Sequence, residues 1–119
     1  MTITTSVGSP GTVSAASGGY TYAINNLSTT PQNVLRVDPQ RVSITVHNPG
    51  SVDALFAPLF VQNTGADVAL VPSPSALGGC YRIYANGGTL ILSGECQKGW
   101  QALSISGSAN PLTVEVSRI

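Results

Sequence analysis

Charge is what this sequence has least of. Five Lys and Arg balance five Asp and Glu, so the net charge is zero and 8% of residues are charged, against roughly 25% in an average soluble protein. There is no field to gather phosphates, and nucleic acid loses its main source of affinity as a partner. Imidazole is nearly absent too. His47 is the one histidine, and it cannot complete a zinc site with Cys80 and Cys96 in any common ligand pattern. Nucleotide loops of the G-x-G-x-x-G or Walker type do not occur, so no cofactor is expected. No window approaches the roughly 20 apolar residues that span a bilayer. The opening M-T-I-T-T-S lacks the basic and apolar regions of a secretion signal. No membrane association is expected: the chain is made and kept soluble, or exported by other means.

What remains is neutral polar sequence interleaved with short apolar runs. In Arg41 to Asn48, apolar Val42, Ile44 and Val46 alternate with Ser43, Thr45 and His47, the pattern of a strand with one buried face. Asp38-Pro39 breaks the chain before it and Asn48-Pro49-Gly50 turns it afterwards. Further strands are read at Tyr20–Ile24, Asn33–Val37, Ala54–Val61, Val68–Val71, Cys80–Ala85, Thr89–Ser93, Trp100–Ser106 and Leu112–Arg118. In Trp100–Ser106, Leu103 and Ile105 are read as the core face. The 119 residues suit one domain burying roughly two-thirds of its unfolded surface. About eight short strands, regular turn signals and no helical periodicity predict an all-β fold over residues 19–119. Its expected form is an antiparallel β-sandwich, jelly-roll-like. The immunoglobulin variant is disfavoured, because Cys80 and Cys96 lie close together and Trp100 follows both.

Four features bear on function. Ala54 to Val61 places Leu55, Ala57, Leu59 and Val61 on one face and Phe56 and Phe60 on the other, so both faces are apolar. One face of a strand in a two-sheet protein meets the core, and Pro58 argues for a sheet edge. Phe56, Pro58 and Phe60 are therefore predicted as partner contacts, with a homodimer favoured and a trimer as the other symmetry. A loop of the same chain covering that second face is the plainer alternative. Asn86-Gly87-Gly88 is the strongest hairpin signal. If Cys80–Ala85 pairs with Thr89–Ser93 across it, Cys80 and Cys96 fall near the hairpin's open end. They either form a disulfide outside a reducing compartment or stay free thiols. Arg36 and Arg41 flank Asp38-Pro39, and a local Arg–Asp38 contact is expected. Finally, residues 1–35 contain no charged residue. Residues 1–18 read as an uncharged arm that orders on a neighbouring surface, with Ile3, Val7 and Val13 as its contacts; a floppy leader is the alternative.

Catalysis finds little footing. His47 lies on the polar face of its strand with no acid in the local pattern to orient it. Asp38, Asp53, Asp67, Glu95 and Glu115 are scattered, so a glycosidase pair would need tertiary proximity. Tyr20, Tyr22, Tyr81, Tyr84 and Trp100 are candidates for a sugar-stacking platform, although half-buried core positions explain them equally. The expectation is a protein that is not an enzyme.

The run D-P-Q-R-V-S-I-T-V-H-N-P at Asp38 to Pro49, followed by D-A-L-F at Asp53 to Phe56, resembles a pattern in small β proteins of tailed-bacteriophage virions. So do W-Q-A-L-S-I-S at Trp100 to Ser106 and L-T-V-E-V at Leu112 to Val116. The similarity spans about Val37 to Ile119. It implies a capsid decoration, or cement, protein with a jelly-roll-like fold, made in the host cytoplasm and carried on the capsid exterior. There it would bind the major capsid protein and bridge neighbouring shell subunits. A receptor- or glycan-binding module of a tail or head fibre is the other role within that group. The resemblance carries no catalytic residues.

Overall fold

The computed structural model describes residues 18–75 and 77–119, and over them the chain is all β. The strands are β1 Tyr20–Leu27, β2 Gln32–Leu35, β3 Arg41–Asn48, β4 Ala54–Pro58, β5 Phe60–Asn63, β6 Ala66–Ala69, β7 Tyr81–Ile83, β8 Gly88–Leu92, β9 Trp100–Ser104 and β10 Asn110–Arg118. Eight of them make two four-stranded sheets, in the orders β1-β10-β3-β8 and β2-β9-β4-β7, while β5 and β6 pair apart from both.

This topology is one antiparallel ribbon rolled up. The first half of the chain runs beside the second: β1 pairs with β10, β2 with β9, β3 with β8 and β4 with β7. The β5–β6 hairpin lies at the ribbon's tip. Rolling then brings β10 onto β3 and β9 onto β4. The core forms between the sheets. Ile44, Val46, Leu112, Val114 and Val116 come from the first sheet, and Ala54, Phe56, Ile83, Trp100 and Ala102 from the second. These are the alternate positions of each strand, as a pleat with one inward face requires.

Three local readings change. A bulge lies where β10 meets the start of β3, because Ser117 pairs with Ser43 and Arg118 with Arg41, leaving Val42 as the extra residue. The face shifts there: Val42 is 38% exposed and Arg41 is buried. The terminal nitrogens of Arg41 bond to backbone and not to the Asp38 carboxylate, while its buried Nε has no hydrogen-bond partner among the described residues. Its Nη1 donates to the Cys96 and Lys98 carbonyls at 2.7 and 3.0 Å and its Nη2 to the Arg36 carbonyl at 2.7 Å.

Second, β4 is not an edge strand, since β9 and β7 flank it. All of Ala54–Pro58 is buried, and so is all of Trp100–Ser104. Trp100 and Ala102, not Leu103 and Ile105, supply the core face of β9. The outward residues Leu55, Ala57 and Leu103 are buried as well, which is the same-chain cover. Gln101 helps to hold that cover, its Nε2 donating to the Pro58 and Leu70 carbonyls at 3.2 and 2.6 Å. Pro72, two residues beyond Leu70, is buried.

Third, the Asn86-Gly87-Gly88 turn does not close a hairpin within one sheet. β7 pairs with β4 and β8 with β3, so the turn carries the chain from one sheet to the other. Asn86 and Gly87 have φ of 62° and 110°, and the Gly88 N–H donates to the Tyr84 carbonyl at 3.0 Å. A Cβ on Gly88 would overlap that carbonyl oxygen. The turn's signal is local, and it does not specify which sheet each strand joins.

Candidate interaction surface

The β5–β6 hairpin is the part of the fold that the core does not use. Thr64 and Gly65 at its tip have φ of 49° and 86°, the two positive values of a turn whose twist matches a tight hairpin. Its stem is tied where the Leu59 N–H donates to the Gly99 carbonyl and the Leu70 N–H to the Leu59 carbonyl, both at 3.0 Å. Every strand residue of it except Val61 is exposed. A two-stranded ribbon alone is marginal in water, yet this one displays Phe60 at 55% and Val68 at 40% exposure. Pairing of Phe60 with Ala69 and Gln62 with Asp67 puts those four on one face. Phe60 and Asp67 help line a cleft of about 500 Å³ completed by Val37, Leu59, Gln97, Lys98 and Gly99.

Of the predicted contact residues, Phe60 alone is placed on this surface. Phe56 is fully buried, its ring stacked on Trp100 with centroids 4.8 Å apart and planes 6° from parallel. Pro58 is buried between the same strands. Neither can offer itself to a partner: Phe56 belongs to the core cluster, and the opposite face of β4, with Leu55 and Ala57, is buried as well. Ile3, Val7 and Val13 lie outside the described residues. Cys80 and Cys96 are free thiols. Cys96 is buried, its Sγ 3.2 Å from the Arg41 carbonyl and 3.1 Å from the Ser93 carbonyl, which share its one S–H proton. Cys80 is half-buried, and burial pushes its thiol above the ordinary value.

A second cleft lies on the open side of the sandwich, where edge strand β1 of one sheet faces edge strand β2 of the other. Its deeper end, about 580 Å³, is lined by Tyr20, Tyr22, the Asn33 to Asp38 stretch, Arg41 and Arg118. It continues as a shallower trough between Thr21–Asn26 and Gln32–Val34. Tyr20 and Tyr22 stand opposite Val116 and Val114, so they project from the inner face of their sheet, yet remain 49% and 41% exposed. Of the five aromatics considered for sugar stacking, these two come together as an exposed pair with centroids 6.0 Å apart, while Tyr81 lies 6.1 Å from buried Trp100. Trp100 is core, and Tyr84 stands apart beside Arg82.

Two of the aspartates are held by arginines. Arg118 holds Asp38 at 2.6 Å and Arg82 holds Asp53 at 2.7 Å. The Arg118 hydrogen bond lowers the Asp38 pKa, helped by the Gln40 N–H; the Ala85 N–H and then Arg82 lower that of Asp53. Carboxyls held ionised in this way are poor proton donors at neutral pH. The ring of His47 meets the Thr89 hydroxyl at 3.2 Å, on a Thr-rich outer face that includes Thr45, Thr113 and Glu115. Among the described residues no cluster of His, Cys, Asp or Glu could hold a metal ion. No family model, curated protein or solved structure gives a match to this chain.

Proposed function

We propose that this protein is a structural virion component, a decoration or cement protein that binds the major capsid protein on the outside of a tailed-phage head and bridges neighbouring shell subunits. The observation that carries this reading is the β5–β6 hairpin, which stands apart from both four-stranded sheets and exposes Phe60 on one face and Val68 on the other. Exposed apolar groups beside an apolar cleft are the usual mark of a surface that meets a partner. The strand orders β1-β10-β3-β8 and β2-β9-β4-β7, read as the double Greek key of a jelly roll, agree with the architecture that the sequence resemblance implies.

Bridging requires many weak, identical contacts and no chemistry, which suits a neutral surface of Ser, Thr and Gly. Adding the purified protein to phage heads that lack it tests this role. Hundreds of copies per particle and a raised rupture temperature are expected, because a ligand of the intact lattice stabilises it. The double variant Phe60→Ser, Val68→Ser should fold normally and bind poorly. Failure to bind heads at all overturns the proposal, and a few copies confined to a fibre would favour the receptor-binding role.

A further inference from the structure

We propose that the cleft beside β1 receives Thr2–Val7 of a second copy of this chain, added as an extra strand, so that two copies exchange arms. The acceptor is an edge. Among the described residues β1 pairs on one side only, with β10. Along its eight residues, alternate N–H and C=O groups point to the open side, a ready template for another strand. The inner-face tyrosines Tyr20 and Tyr22, left 49% and 41% exposed, mark where the sandwich lacks a cover.

The donor matches both faces of that sheet. Thr2, Thr4 and Ser6 alternate with Ile3, Thr5 and Val7, so a strand made of them is hydroxyl-bearing on one side and mostly apolar on the other. The outer face of the acceptor sheet carries Thr21 on β1, Thr113 and Ser117 on β10, and Ser43 and Thr45 on β3. Its inner face is the core. With Val7 beside Tyr20, Thr5 would fall beside Tyr22 and Ile3 beside Ile24 on the inner face, and Thr2, Thr4 and Ser6 would extend the hydroxyl-rich one. The segment has no charge to desolvate.

Connectivity favours a second copy over the same one. The described chain begins at Gly18, whose N–H meets the Arg118 carbonyl at 3.5 Å, at the deep end of the cleft. Setting Val7 beside Tyr20 of its own chain would leave residues 8–19 as the hairpin loop, where ordinary hairpins use about 2–5 residues. Residues 8–17, which precede the Gly18 contact, reach roughly 35 Å when extended, enough to cross between two bodies. Mutual exchange closes as a twofold pair. The pair needs no shell, so it stands or falls separately from the capsid role.

Full-length variants test it by sedimentation. One carries Ile3→Asp and Val7→Asp in the arm; the other carries Tyr20→Lys and Tyr22→Lys in the cleft, with Tyr22→Ser as a milder substitute if the lysines disturb the fold. The wild type should be dimeric, and each variant should self-associate about tenfold or more weakly. Mixing the two variants should restore a heterodimer, since one intact arm then meets one intact cleft. Dimers that persist in both variants would assign the contact to another surface. A monomeric wild type, whether its arm is protected from protease or freely cleaved, would overturn the exchange.

Discussion

Asp38 and Arg118, 80 residues apart in the chain, are joined by a hydrogen bond of 2.6 Å from Arg118 Nε to Asp38 Oδ2. The bond ties the corner before β3 to the end of β10, at the deeper end of the cleft beside β1, and the same guanidinium lies over the Tyr20 ring at 5.8 Å. Its dependence on pH follows from its direction. The Asp38 carboxyl is lowered from an ordinary value of 3.8, by Arg118 foremost, so the stabilisation is fully present above that value and is lost as pH falls through the lower, folded one. Asp38→Asn should therefore unfold at lower urea than wild type at neutral pH, and the two midpoints should converge as pH falls through the lowered, folded-state value. A gap that persists in acid would mean that the ion pair contributes nothing specific.

The stacked pair of Phe56 and Trp100 separates fold from contact. Phe56 is fully buried and Phe60 is 55% exposed, although the two lie four positions apart in one apolar run. Phe56→Ala should cost about 3–5 kcal/mol in urea unfolding, whereas Phe60→Ser should stay within about 0.5 kcal/mol. Similar losses for both would place the hairpin inside the cooperative core and remove it as a displayed surface.

These residues also show how far the sequence could be read. Alternation and turn residues located nearly every strand, because pleat and burial act over a few residues. The winding is long-range: β3 meets β8 and β10, and nothing near Asn86-Gly87-Gly88 says that its flanking strands join different sheets. An apolar run with two greasy faces has two physical solutions, an edge awaiting a partner or an interior strand covered on both sides. Ala54–Pro58 takes the second, and Phe60 breaks away into the hairpin. Arg41 misled for a related reason. Its local neighbour Asp38 is a plausible partner on spacing alone, but the bulge at Val42 turns Arg41 inward to three carbonyls and leaves Asp38 to Arg118.

The two thiols give a third expectation. Cys96 is 3% exposed and hydrogen-bonded to two carbonyls, while Cys80 is half-buried. A disulfide-exchange reagent should label one cysteine under native conditions and two in denaturant, with Cys80 as the native site. Cys80 should react slowly near neutral pH, since burial raises its pKa and the thiolate is the nucleophile. Reductant should leave the unfolding midpoint unchanged. A drop in that midpoint would reveal a bridge that the free thiols contradict.

The last expectation concerns the force that would hold the protein to a shell in the proposed role. Of its five cations, Arg82 and Arg118 are engaged by aspartates, Lys98 lies 3.7 Å from Glu95, and Arg41 is buried against backbone carbonyls. That leaves few charges for intermolecular pairing, and the Debye length shrinks from about 10 Å at 0.1 M salt to about 3 Å at 1 M. Attachment through Phe60, Val68 and strand edges would rest instead on apolar burial and backbone hydrogen bonds, which screening does not touch. Particles washed across a salt series should keep their copies at 1 M NaCl, while mild urea, which weakens apolar and peptide contacts, should release them before the shell opens. Complete release by salt with the fold intact would show that ion pairs dominate the contact, and would move it from the hairpin to a surface bearing Arg36 or Glu115.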